Sequence, residues 1–253
     1  MLTAVDDVVL VILIVTFSLL FMFILNRFWR PEKRSEHNDI IGWQLGILGT
    51  TYAVIIGFML YAVWTDFGLA SANANAEANS ILNVYRLADG LPDPQREEIK
   101  DAARLYADTV VQQDWPMMAH SIDASLKSRE VSVKMWQILM SIKTATPNQI
   151  LAEDHALYEL SAVAASRKLR QTQSSSKLPA VLWFVLIIGG ALTIMSSCTF
   201  GSTNLRLHWL QVFAFSLLIA LVLAAIGDID RPFQGSVHVS DSAFRRAQMN
   251  MKE

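Results

Sequence analysis

The chain has 253 residues, 53% of them apolar, and a formal net charge of −2. That balance gives no basic surface for nucleic acid, which is excluded as a partner. A single cysteine, Cys198, rules out an intramolecular disulfide, and His37, His120, His155, His208 and His238 lack ligand spacing. Each histidine reads as solvated or interfacial, and neither metal nor cofactor is expected.

The apolar residues gather in four nearly uncharged blocks: Val8–Phe28, Ile41–Trp64, Leu178–Phe200 and Leu207–Ile226. Each is about 20 residues long, enough for a helix to cross bilayer hydrocarbon. Buried soluble helices rarely repeat that pattern four times, so the expected fold class is an all-α, four-span membrane protein.

Met1–Asp7 is a short acidic leader. The first block follows Asp6 and Asp7 rather than a basic segment and precedes Arg27, Trp29 and Arg30 rather than a cleavage site, so it reads as a retained span (8–28) and not a signal peptide. Its uniform Val, Ile, Leu and Phe suit a lipid-facing helix. A charged hairpin, Arg27 to Asp39, leads to the second span (41–64), with Trp29 and Trp43 at headgroup depth.

In the second span Gly42, Gly46, Gly49, Ala53 and Gly57 recur at three- and four-residue steps and form a stripe of small residues. Such a stripe lets another helix approach closely. Two uses fit: packing against a neighbouring span of the same chain, or copies of the helix around an axis. In the second case Thr50, Thr51 and Tyr61 are the polar side chains able to touch an aqueous path.

Asp66 is the first charge after this span, and no proline follows before Pro92. The helix is therefore expected to run on into a soluble region (65–177), with Asp66, Asn73, Glu77 and Ser80 close to one face. Gly90–Pro92 ends it. Three further helices are expected: Asp93–Asp114, capped by Asp93 and closed by Trp115 and Pro116; Ser121–Thr144, with Ile122 and Leu126 in its stripe and Pro147 as its exit; and Ile150–Ser174, leading into a polar run to Ser176. Counting the continuation of span two, they make a four-helix bundle.

The third span (178–200) carries Gly189, Gly190, Ala191, Ser196 and Ser197, and a tight hairpin, Gly201–Asn204, leads to the fourth (207–227). Asp228, Asp230 and Arg231 then stand beside Pro232, ahead of a tail (228–253). They read as a salt-bridged boundary motif and helix stop; paired carboxylates of a lipid-active enzyme are the other use. Orientation is left open by charge, with Arg27, Arg30, Lys33, Arg34 and Arg206 on one side against Arg231, Arg245, Arg246 and Lys252 on the other.

Several local patterns resemble a family: Gly46-Ile-Leu-Gly49 with Tyr52, Gly57-Phe58, Val63-Trp64, Glu77-Ala78-Asn79, Tyr85-Arg86-Leu87, Gly90-Leu91-Pro92, Asp114-Trp115-Pro116, and Asp230-Arg231-Pro232-Phe233 with Gly235. Together with the order of spans and insert, they are similar to the bacterial bestrophin-like proteins grouped as a domain of unknown function, DUF4239. The resemblance implies a ring-shaped homo-oligomer, a pentamer by analogy, in the bacterial inner membrane. It further implies a central anion-conducting pore lined by the second span, with the insert in the cytosol. The chain departs from bestrophins in carrying a Gly/Ala stripe where they place an aromatic and apolar neck, and in lacking the acidic cluster of a calcium clasp.

The expected function is therefore an oligomeric ion channel whose partners are the lipid bilayer, further copies of the chain and small inorganic ions. Gly46, Thr50, Ala53, Gly57, Tyr61 and Trp64 are the expected pore-lining residues, and Asp66, Asn73 and Glu77 the vestibule. The alternative is a non-conducting membrane scaffold or sensor whose bundle binds a partner protein. No charge lies well inside a span, as a proton-coupled transporter would need. No phosphate loop, HExxH, CxxC or nucleophile elbow marks an enzyme.

Overall fold

The structure is a computed structural model that describes residues 4–120, 126–143, 146–175 and 177–252. The leader's first residues, Ser121, Ile122 and Thr144 of the expected third insert helix, Ser176, Glu253 and the side chains of Asp6 and Leu126 lie outside the described residues. The described residues form helices and no strand. In chain order these are α1 (Ala4–Phe28), α2 (Pro31–Ser35), α3 (Asn38–Leu87), α4 (Gln95–Thr109), α5 (Trp115–Ala119), α6 (Leu126–Met140), α7 (Pro147–Ser175), α8 (Ala180–Cys198), α9 (Leu205–Ile229) and α10 (Ser242–Asn250). Four of them, α1, α3, α8 and α9, are long and apolar enough to cross a membrane. α3 runs 50 residues without a break, as the absence of proline allows.

The chain divides into two compact units. One holds Leu2–Thr65 and Lys177–Asp230, the other Asp66–Ser176 and Arg231–Glu253.

In the first, α1 packs along α9, and α8 packs on both. The most apolar windows of α8 and α9 are 33% and 39% buried, against 11% for α1 and for α3, so α8 and α9 are the inner helices of this unit. Close approach explains the Gly189–Gly190 pair: a Cβ at Gly189 would lie 2.8 Å from the Tyr52 ring, and one at Gly190 2.8 Å from the Tyr52 hydroxyl. Tyr52 fills this notch and donates its hydroxyl to Leu186 O at 2.9 Å.

The second unit is built on the alanine-rich half of α3. Ala70, Ala74, Ala78, Ile81 and Val84 are buried there with Ile99, Tyr106, Leu139 and Leu160. The segment after α9 is not a loose tail. Phe233, Val239, Phe244, Ala247 and Met251 enter the same core, and Trp115 meets Phe233 and Phe244 edge-on at 5.6 and 5.8 Å.

Several expected details are corrected. Pro94, not Asp93, stands at the cap of α4. Trp115 and Pro116 do not close the second insert helix, because a π-turn, Val110–Asp114, passes directly into α5. Pro116 sits in the first turn of α5, and Pro147 opens α7, where a missing N–H costs nothing. His208 is buried rather than solvated.

Candidate functional site

With 3.6 residues per turn, Gly46, Thr50, Ala53, Gly57, Tyr61 and Trp64 fall within one side of α3, and all six are exposed. Tyr61 is 70% and Trp64 58% exposed, while Tyr52 and Val63 on the opposite side are buried. The glycines decide how the small-residue stripe is used. A Cβ added at Gly46, Gly49 or Gly57 would meet nothing within 4 Å; only Gly42, 3.4 Å from Phe200, has a neighbour. Packing within the same chain therefore does not account for the stripe. Thr50 donates its hydroxyl to Gly46 O at 2.8 Å, and Thr65 to Tyr61 O at 2.9 Å. Both hydroxyl protons thus return to the helix backbone, leaving a weakly polar surface.

In the second unit the expected vestibule residues have different fates. Asp66 is exposed. Asn73 is half-buried and donates to Gln173 Oε1 at 3.1 Å. Glu77 is fully buried, which corrects its vestibule placement. Spacing did put Asn73 and Glu77 on one side of α3, but it is the side that faces the bundle. Arg170 on α7 binds Glu77 through both carboxylate oxygens, Nε to Oε2 at 2.8 Å and Nη2 to Oε1 at 2.9 Å. Tyr106 donates to the same Oε1 at 2.7 Å. Arg170 Nη2 also reaches Asp114 Oδ2 at 3.0 Å, and its guanidinium lies 5.6 Å from the Trp115 ring and 6.0 Å from that of Phe244.

Three elements supply this cluster beside α3. The π-turn ends on Asp114 and is followed at once by Trp115, so both reach Arg170. Burial works against the Arg170 charge, but Glu77, then Tyr106 and Asp114, hold it above the usual arginine range. Burial lifts the Asp114 carboxyl above its ordinary value, and Arg170 only partly counters that. Burial and the neighbouring Glu77 push the Tyr106 phenol well up. Sequence reasoning missed Arg170, Tyr106 and Asp114 as a group. The available signal was Glu77 itself, a carboxylate amid Ala70, Ala74, Ala78 and Ile81, which needs a buried cation.

The boundary motif separates into parts. In the first unit Asp230 Oδ1 accepts the Leu178 N–H at 2.8 Å, tying the end of α9 to the approach of α8. Asp228 is half-buried in that unit, and Arg231 is half-buried in the second. Pro232 accepts Val239 N at 2.7 Å and Phe233 is buried, so the motif's second half anchors the C-terminal segment in the core.

A family model described as the Bestrophin-like domain matches residues 12–244. Comparison with curated proteins gives no match. Among solved structures the chain is similar to a bacterial bestrophin homologue from Klebsiella pneumoniae phased by Zn-SAD, with 12% identity, TM-score 0.72, and 95% and 96% of the two chains covered. A point mutant of that homologue aligns at 12% identity and TM-score 0.73, over 96% of this chain and 99% of the other. A crystal structure described as a membrane protein variant aligns at 12% identity and TM-score 0.73, covering 95% and 97%.

Proposed function

We propose, from the premise that this chain belongs to the bestrophin-like family, that it is the subunit of an oligomeric ion channel. Copies of α3 surround the pore, and anions are the conducted species. The observation that carries this reading is the outward stripe of α3, where Gly46, Gly49 and Gly57 have nothing within 4 Å. In lipid, small residues matter because they let helices approach, since hydrophobicity gives no preference for helix over acyl chain. A stripe left uncovered by its own chain is completed by other copies of the same helix. The lining would then be Gly46, Thr50, Ala53, Gly57, Tyr61 and Trp64. Its small residues leave a path, and its bulkier end at Tyr61 and Trp64 narrows it into an apolar gate. By family resemblance the subunits number five, and the bundle lies in the bacterial cytosol.

The test is single-channel recording from purified full-length protein in a planar bilayer under asymmetric KCl. The expected result is a current whose reversal potential lies on the chloride side of zero and which Thr50→Trp and Gly57→Trp abolish. A reversal on the potassium side overturns the anion assignment. Current unaffected by both substitutions moves the pore away from α3. A silent bilayer from folded oligomer favours the scaffold reading, in which the spans only assemble.

A further inference from the structure

The C-terminal end of α3 carries a charge that the core of the second unit does not use. Of Tyr85-Arg86-Leu87, the tyrosine packs against that core and accepts from Arg104 Nη2 at 2.8 Å. Arg86 is exposed and Leu87 half-buried. From Gly68 to Leu87 the exposed residues of α3 are Gly68, Leu69, Ala72, Ala76, Asn79 and Arg86, so Arg86 is the only charge on that surface. A basic group in the last turn suits the negative end of a helix. That accounts for the charge but not for what stands around it.

α7 runs antiparallel to α3, as the pairs Glu77–Arg170 and Asn83–Glu159 show. Two contacts fix the register at this end. Asn83 Nδ2 donates to Glu159 Oε1 at 3.0 Å. Just past α3, a Cβ on Gly90 would lie 2.6 Å from Ala152 Cβ, so glycine lets the chain close on α7 there. Between these contacts lies a cavity of about 360 Å³, lined by Asn83, Arg86, Leu87, His155, Tyr158 and Glu159. That volume falls at the lower end of the range for small-molecule sites.

The lining is rich in donors and short of acceptors. Among the described residues the side chains of Arg86, His155 and Tyr158 make no hydrogen bond or ion pair. Arg86 offers its N–H groups in a planar fork, the neutral His155 ring one N–H and Tyr158 its O–H. Glu159 is the one carboxylate of the lining, and Asn83 already engages its Oε1. Asp154, exposed beside His155 on α7, is not part of the lining. Tyr158 is 73% exposed, a large ring at the rim, with Leu87 on the facing helix.

We infer that this cavity binds a small organic oxyanion, a molecule bearing a carboxylate or phosphate group, which bridges α3 and α7. The guanidinium fork meets two oxygens of one such group at once, and His155 and Tyr158 each add a donor from the other helix. A halide has no second oxygen for the fork, so chloride gains the charge alone. The organic body lies against Leu87 and the Tyr158 ring. Because the ligand is held from both helices, binding stiffens the end of α3 against α7. The site does not depend on the channel reading.

Hydrogen–deuterium exchange of the full chain in nanodiscs, read over residues 83–90 and 152–159, tests the site. The probes are phenyl phosphate and benzoate, with chloride at matched ionic strength as the control. A ligand that binds only the closed arrangement stabilises it, so protection should rise about threefold or more at about 20 mM of at least one organic probe and not in chloride. A larger rise with phenyl phosphate assigns a phosphate head, and a larger rise with benzoate a carboxylate. Arg86→Gln and His155→Gln should each remove most of the rise. Arg86→Lys keeps the charge without the fork and should keep about half of the rise at most. Neither side chain makes a bond in the free protein, so these variants should fold as the wild type does. An equal rise in chloride would make the effect one of screening and overturn the site. So would a rise that Arg86→Gln leaves intact, which would put the anion elsewhere, or no rise with either organic probe. The readout needs no current, so a silent bilayer would leave this result standing.

Discussion

Glu77 would destabilise an alanine-lined helix face were Arg170 not opposite it. Removing one partner of a buried pair leaves an uncompensated charge, at a cost of about 3–5 kcal/mol. Glu77→Gln should approach that loss, because both Glu77 oxygens hold Arg170 and one also accepts from Tyr106. Asp114→Asn should cost about 1 kcal/mol, because an amide oxygen can still accept from Arg170 and only the added strength of the charged hydrogen bond is lost. Asp114 also carries a pH dependence. Burial raises the Asp114 carboxyl, so the folded chain holds its proton more tightly than the unfolded chain. The stability it contributes is fully present below the ordinary carboxylate range and is lost as pH rises through the raised value. Asp114→Asn should therefore flatten the acid side of the stability curve and lose less than Glu77→Gln at pH 7. Chemical unfolding in detergent, followed by tryptophan fluorescence, measures both. Equal losses at neutral pH would mean that Asp114 shares the Arg170 charge evenly with Glu77.

At the scale of helices, most of the architecture was legible because membrane helices are written in composition. Four apolar blocks fix four spans, and the absence of proline before Pro92 fixes the length of α3. What was not legible depends on a second element. Gly189 and Gly190 looked like the same kind of stripe as Gly46 and Gly57, yet the first pair receives Tyr52 and the second meets nothing. Sequence shows that a face is small but not what covers it. The π-turn at Val110–Asp114 was equally hidden, since its purpose is to aim Asp114 and Trp115 at a residue 56 positions from Asp114 on α7. The glycine contrast gives a paired prediction. Gly57→Ala meets no atom of its own chain and gains about 1 kcal/mol of helix propensity, so the protomer's thermal stability should hold or rise. Gly190→Val pushes into Tyr52 and Ile219 and should cost about 1–3 kcal/mol by overpacking. Combining Gly190→Val with Tyr52→Phe should recover part of that loss, because the added group meets the hydroxyl that Phe lacks. Losses that simply add would show that the notch does not constrain α8.

At the scale of the whole molecule, the pattern of burial argues for more than one copy. An apolar core closes the second unit on itself, with the C-terminal segment completing it through Phe233, Phe244 and Met251. The membrane unit is not closed in the same way, since the apolar windows of α1 and α3 are only 11% buried. Lipid can cover α1, whose surface is mostly large and apolar, with Phe17 and Phe23 64% and 61% exposed. Lipid covers α3 less well. Its glycines offer acyl chains little side-chain surface, and its exposed Gln44, Thr50 and Thr51 lie among them, whereas the middle of α1 exposes Thr16 alone among large apolar side chains. The protein in mild detergent should therefore have a mass several times 28.3 kDa by light scattering. Gly57→Trp should lower that mass, whereas Phe17→Trp on the lipid side should leave it unchanged. A wild-type mass of a single chain in several detergents would leave the α3 stripe without a partner and remove the axis that a pore requires. A multimer indifferent to Gly57→Trp would place the contact between copies on another helix, and the pore would have to be sought there.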